Sequence, residues 1–319
     1  MGKLLTLSKN TFTATVRQPI YGIIVGAALL LIFISPSMTM FSLGQEDKLL
    51  RELGLSTLFL MSLFIAIFSA CGSVGSEIDE QTISTVLTKP VSRPIFILSK
   101  FFGVSGAVFL AHYVCTVGIL MAIRHGVLET AMDTHDMTVI AAAVGGAGAA
   151  LLLSLFFNYV YDWKFSSSVV VLLGIFGTVG IIFLAFINRN WQFRPADNGF
   201  NIVDIYGSIL LFLGALIIVA VAVAVSTRFN IAVTFSLCVG IFLLGLVSDY
   251  AFGRFTEQLW AQVFYYVVPN LQIFWISDAI YEGSAVPVRY IFITSLYAVC
   301  YTGAILSVAM AVFQGRQVG

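Results

Sequence analysis

The chain has 319 residues, of which 59% are hydrophobic and only 10% charged, and its mean hydropathy is +0.99. Soluble domains carry about 25% charged residues, so this composition cannot cover a water-soluble fold and specifies an integral membrane protein. The formal net charge of +0 gives no global basic character, which argues against nucleic acid as a partner.

Residues 1–19 come first. Leu4, Leu5, Leu7, Phe12 and Val16, interspersed with Lys3, Lys9 and Arg17, predict a short helix lying in the membrane interface. No A-x-A-like site follows the first apolar run, so a cleaved signal peptide is not expected.

Eight runs are long enough for the roughly 20 residues of helix that a bilayer requires. They fall near residues 20–38, 53–75, 101–123, 138–160, 168–187, 208–225, 231–250 and 291–313. None alternates apolar and polar residues as a membrane barrel strand does. The expected fold is all-α: a polytopic transmembrane bundle of about eight spans, six as a fallback if the Gly- and Val-rich runs at 168–187 and 208–225 are irregular. One transmembrane domain, residues 1–319, accounts for the whole pattern.

The polar stretch 76–100 is more organised than a simple connection needs. Ser76 with Asp79 forms an S-x-x-D capping pattern, predicting a helix start at the membrane surface. Ile78, Ile83, Val86 and Leu87 then give that helix one apolar edge. Pro90 disfavours helix at Lys89, and Ser92-Arg93-Pro94 restarts it into the next span. A short amphipathic helix across the mouth of two spans is a docking device.

Farther along, Ala141, Gly145 and Ala149, and again Ala142, Gly146 and Ala150, make small-xxx-small rows suited to close helix packing, either within the chain or at a dimer seam. Segments 188–204 and 253–289 are rich in aromatics, which favour the membrane boundary, and both are expected to form interfacial helices on the non-cytoplasmic face. Within the second, Glu257, Leu259, Trp260, Val263, Phe264 and Val267 have helical spacing up to Pro269. That segment could be an outer lid or a loop resting on the membrane.

Chemistry-bearing motifs are few. Cys71, Cys115, Cys238 and Cys300 all fall inside spans and lack metal-ligand spacing. Within the expected spans the clearly placed ionisable residue is His112, with Asp249 at an end, and a lone His reads as a hydrogen-bonded packing residue rather than a proton relay. The sequence contains no H-E-x-x-H, no G-x-S-x-G and no G-x-x-x-x-G-K-[ST]. No enzymatic activity and no cofactor are expected of this chain. If ATP drives it, another subunit binds the nucleotide.

Orientation follows the positive residues. Cytoplasmic termini place Lys3, Lys9, Arg17, Lys89, Arg93, Lys100, Lys164, Arg228 and Arg316 inside, nine of the 16 Lys and Arg. The expected location is the cell (inner) membrane, with membrane lipid as a partner and segment 76–100 in the cytoplasm.

Glu77, Thr82, Ile83, Leu87, Thr88, Pro90, Val91, Ser92, Arg93 and Lys100 resemble the E…G-T-I…L-L-S-x-P-V-S-R…K signature of type-2 exporter-class ABC transporter permeases. Gln81 departs from the pattern, standing where many members carry Gly. Ser226-Thr227-Arg228-Phe229-Asn230 and Pro269-Asn270-Leu271 are weaker likenesses. The resemblance implies that segment 76–100 holds a coupling helix seated in a groove of a separate ABC-type ATPase, where ATP and Mg would be bound. The docking residues it implies are Glu77, Thr82, Ile83, Val86, Leu87, Pro90, Ser92 and Arg93. It further implies an exporter built from two permeases, as a homodimer or with a related chain. Alternatives from other classes are a non-transporting membrane scaffold and, disfavoured by the scarcity of intramembrane charge, a secondary transporter.

Overall fold

A computed structural model of the protein describes residues 2–39, 45–75, 92–128, 133–195, 199–255, 257–281 and 286–314. Helix accounts for 86% of the structure and there are no strands among the described residues. Eight of the helices there are long and apolar enough to cross a membrane.

A first helix, α1 (Gly2–Val16), precedes the spans α2 (Pro19–Thr39), α3 (Glu46–Ala70) and α4 (Arg93–His125). The hairpin α5 (Met137–Tyr161) and α6 (Phe165–Phe186) follows, then α7 (Ile202–Ser226) and α8 (Ile231–Phe252). Two short helices, α9 (Leu259–Val267) and α10 (Ser277–Tyr281), lead into the last span, α11 (Val288–Gln314). The helices run past the expected ends where local capping demands it. Asn201 accepts a hydrogen bond from Val203 N at 3.1 Å, which starts α7 well ahead of Ser208.

Enclosure differs sharply between spans. In α3 and α7, 67% of the most apolar window is buried, against 17% in α5. The centre of the bundle is therefore α3, α4 and α7, with α2, α8 and α11 around it. Leu58, Ile67, Ala107, Ala111, Ile217 and Ala220 lie at its heart, each fully buried. Lipid is as apolar as these side chains, so close van der Waals fit and interhelical hydrogen bonds hold the helices together. Tyr21 Oη of α2 donates to Ala107 O of α4 at 2.9 Å.

Helix α1 packs along the first half of α4. Its buried edge is Thr11, Thr15 and Val16, while Leu5 of the expected apolar set stays 69% exposed. Gly103 permits the approach, because a Cβ there would sit 2.5 Å from Thr11 Cβ and 2.8 Å from Ser8 O. On the α5 side, the row Ala142–Gly146–Ala150 turns into the chain: Gly146 faces Phe176 of α6 and Ala142 lies beside Gly180. Gly145, in the other row, meets nothing within 4 Å.

Two expectations, for segments 188–204 and 253–289, are corrected. Residues 187–195 form no interfacial helix. They make a tight reversal with an isolated bridge between Ile187 and Phe193, organised by Asn188 Oδ1, which accepts from Asn190 N and Gln192 N. A side chain that caps its own turn in this way competes with helix. The other segment divides in two. Helix α9 is exposed along Leu259, Val263, Tyr266 and Val267. After Pro269 the chain dives inward: Leu271 N donates to Gly245 O at 2.9 Å, and Leu271 and Phe274 are fully buried. A Cβ at Gly245 would lie 2.7 Å from Pro269 O, so glycine is required for that approach.

Candidate functional site

Of the docking residues expected from the sequence, Glu77, Thr82, Ile83, Val86, Leu87 and Pro90 lie outside the described residues. Both flanks of that stretch are described. On the entering side, α3 ends in a π turn, Cys71–Gly75, so the span widens in its last turn. π turns of this kind recur at functional sites. On the leaving side α4 begins at Arg93, with Pro94 in its first turn and Ser92 extended (φ −71°, ψ 147°). The expected restart is present, but Ser92 caps it by backbone geometry alone and its side chain makes no cap hydrogen bond.

Arg93 connects this restart to the far end of the chain. Its Nη1 donates to Phe313 O at 3.1 Å and Gln314 O at 2.6 Å, both in the last described turn of α11. The guanidinium also lies over the Phe313 ring, 5.9 Å from its centre, and that ring stacks on Phe96 at 5.7 Å. Lys100, one turn on, is buried with its ammonium 5.3 Å from the Phe96 ring. Arg228, between α7 and α8, donates to Val312 O at 2.6 Å. Two arginines from separate parts of the chain thus bind backbone carbonyls in the last described turn of one helix. Asn230 then caps α8, accepting from Val233 N at 3.1 Å. The result is a cluster of the starts of α4 and α8 with the last described turn of α11.

The opposite ends of the spans carry a second set of ionic contacts, and here sequence reasoning missed residues. Arg51 Nε pairs with Asp204 Oδ1 at 3.1 Å, and the Asp204 side chain is only 5% exposed. Arg124 Nε lies 3.7 Å from Asp136 Oδ2 with both side chains 4% exposed. Arg124 also donates to Leu184 O and, at 2.5 Å, to Ile187 O. Spans set a few residues too short had left all four outside. The signals were present: Asp136 caps α5 through Thr138 N at 3.0 Å, and Asp204 stands four residues before Ser208 on one face of α7.

From the Arg51–Asp204 pair a polar file runs into the bundle. A cavity with room for about one water lies beside it, lined by Asp204, Ser208, Thr116 and apolar side chains. Thr116 and Ser208 share a 2.6 Å hydrogen bond. His112 is bonded on both ring nitrogens, Nε2 to Ser208 O at 2.9 Å and Nδ1 to Ser62 Oγ at 3.3 Å. Its expected role as a hydrogen-bonded packing residue holds. These contacts join α3, α4 and α7 across the centre of the bundle.

An eight-span helical bundle, with ionic contacts at the two ends of the spans, is a multi-pass membrane protein. The chain matches the family described as ABC-2 family transporter protein over residues 27–234, from α2 into α8, and it belongs to that family. It is a permease of an ABC transporter. A comparison with curated proteins returns no match.

Proposed function

We propose that this permease works as an ATP-driven exporter whose energy comes from a separate ATPase subunit docked on segment 76–91. ATP and Mg would be bound and the nucleotide hydrolysed in that subunit. Ile83, Val86 and Leu87 form the apolar docking edge, Glu77 and Arg93 the polar anchors, Pro90 sets the turn, and Thr82 and Ser92 complete the docking set. The termini are cytoplasmic, in the cell (inner) membrane. Two permeases, identical or related, complete the pathway.

The observation that carries this reading is the bond between Arg93 and the end of α11. A push on segment 76–91 reaches α4 directly, and through Arg93 it reaches a span that is distant in sequence. The π turn at Cys71–Gly75 gives the other flank a place to yield.

The test is co-purification of the ATPase with wild type and Leu87→Asp, with membrane abundance measured for each. A docking edge of a few hundred Å2 at about 25 cal/mol per Å2 makes its loss worth a few kcal/mol of assembly. The carboxylate should do more harm than Leu87→Ala, because it would have to be desolvated. Insertion should be unchanged. Full retention of ATPase by Leu87→Asp would refute the coupling role. Sidedness has its own check: with native cysteines removed, cysteines at Ser84 and Gln314 should resist an impermeant thiol reagent in intact cells, and one at Asn198 should react.

A further inference from the structure

A groove opens where the end of α1 meets the short turn between α5 and α6. Its volume is about 520 Å3, within the range of small-molecule sites. Arg17, Asp162 and Lys164 stand at its mouth, Trp163 and Phe157 form one side, and Val171 and Ile175 of α6 continue it inward. Two cations and one anion leave the lining at +1. Among the described residues neither the Arg17 nor the Lys164 side chain has an ion-pair partner.

The turn that builds this mouth is tightly held. Asp162 adopts the left-handed conformation (φ 55°, ψ 26°), Trp163 N donates to Phe157 O, and Asn158 Nδ2 donates to Trp163 O at 2.6 Å. Trp163 packs on Phe157 with ring centres 5.0 Å apart. Lys164 is therefore presented from a rigid hairpin rather than from a loose loop.

Polarity falls steadily along the groove. From Ser167 and Ser168 at the start of α6 the same helix face passes to Val171, then Ile175, about 12 Å deeper at 1.5 Å per residue. Val171 and Ile175 are 41% and 51% exposed, so this wall is open to lipid chains. A soluble anion would be satisfied by the mouth alone. Only an amphiphile uses both the cationic mouth and the apolar wall.

We infer that this groove binds an anionic phospholipid, its phosphate held between Arg17 and Lys164 and its acyl chain along Val171 and Ile175. The lipid would fasten α1 to the α5–α6 hairpin at the membrane surface. It requires only that the protein spans a membrane, so it stands apart from the coupling role.

The experiment titrates detergent-purified protein with dioleoyl phosphatidylglycerol, dioleoyl phosphatidylcholine and glycerol 1-phosphate, and counts bound lipid by native mass spectrometry. Phosphatidylglycerol should bind best. Arg17→Gln with Lys164→Gln should weaken it by about 25-fold, fivefold for each cation at roughly 1 kcal/mol. Ile175→Glu should weaken it several-fold by spoiling the wall, and Arg194→Gln, on the other face, should leave it unchanged. Equal binding of phosphatidylcholine, or wild-type binding by both the double variant and Ile175→Glu, would overturn the inference. Glycerol 1-phosphate binding as tightly as the lipid would also overturn it, leaving a soluble-anion site.

Discussion

Arg93 and Phe313 are separated by most of the chain, yet the Arg93 guanidinium donates to the Phe313 carbonyl at 3.1 Å and lies 5.9 Å from the centre of its ring. One side chain thus binds the backbone end and the aromatic face of the last span. A planar, always-charged group with several donors suits this task, whereas an ammonium offers a single point of charge. Removing it with Arg93→Ala should cost about 1–2 kcal/mol, since hydrogen bonds from charged groups are strong but this one is partly exposed. Arg93→Lys should recover less than half of that. Thermal unfolding of purified protein would report both, and wild-type stability in Arg93→Ala would show that the tie carries no load.

The Arg124–Asp136 pair predicts a larger effect. Both side chains are 4% exposed, so Asp136→Ala leaves a buried guanidinium short of its counter-charge and also removes the α5 cap. The expected loss is about 3–5 kcal/mol. Combining it with Arg124→Met should cost less than the sum of the two single changes, because the stranded charge is gone. The fraction of monodisperse protein left after graded heating would measure all three variants.

Gly103 sets how closely α1 can lie on α4. Gly103→Val would drive a branched side chain into Thr11 and into the Ser8 carbonyl, and the backbone carbonyl cannot yield cheaply. Overpacking of this kind costs roughly 1–3 kcal/mol, enough to lift α1 about tenfold more often. A cysteine placed at Thr15, which is fully buried, should then label about tenfold faster in a background without native cysteines. An unchanged rate would mean that α1 re-seats without opening.

Asp162 tests the α5–α6 turn and the groove together. Its φ of 55° is open to Gly and costs a β-branched residue about 1–2 kcal/mol. Asp162→Val should destabilise the protein by that amount, while Asp162→Gly should be nearly neutral in stability. Asp162→Gly also removes the one acid at the groove mouth, so phosphatidylglycerol should bind it more tightly than wild type.

How much of this was legible in the sequence depended on the kind of signal. Long apolar runs and the spacing of Leu259 to Val267 report directly on local backbone, and the spans and α9 followed from them. Helix ends were harder, because polar residues such as Arg51, Asp204 and Arg124 stay in helix when a partner neutralises them, and the partner is remote. The segment 188–204 reads as interfacial because its aromatics fit that setting. Its true shape came from Asn188 capping a reversal, a short-range competition that composition does not display.

By itself the sequence determined that the protein crosses a membrane, about how many times, and where a polar segment would interrupt the spans, since burying charge in hydrocarbon is costly wherever it occurs. Tertiary structure alone decided which spans form the centre and which helix ends meet. It brought Arg93 to the last described turn of α11, joined Arg51 to Asp204, and set Arg17 and Lys164 in the lining of one groove. The physical reason is that these contacts are made between residues far apart in the chain. Local pattern fixes each helix, but only close packing selects which helix faces meet.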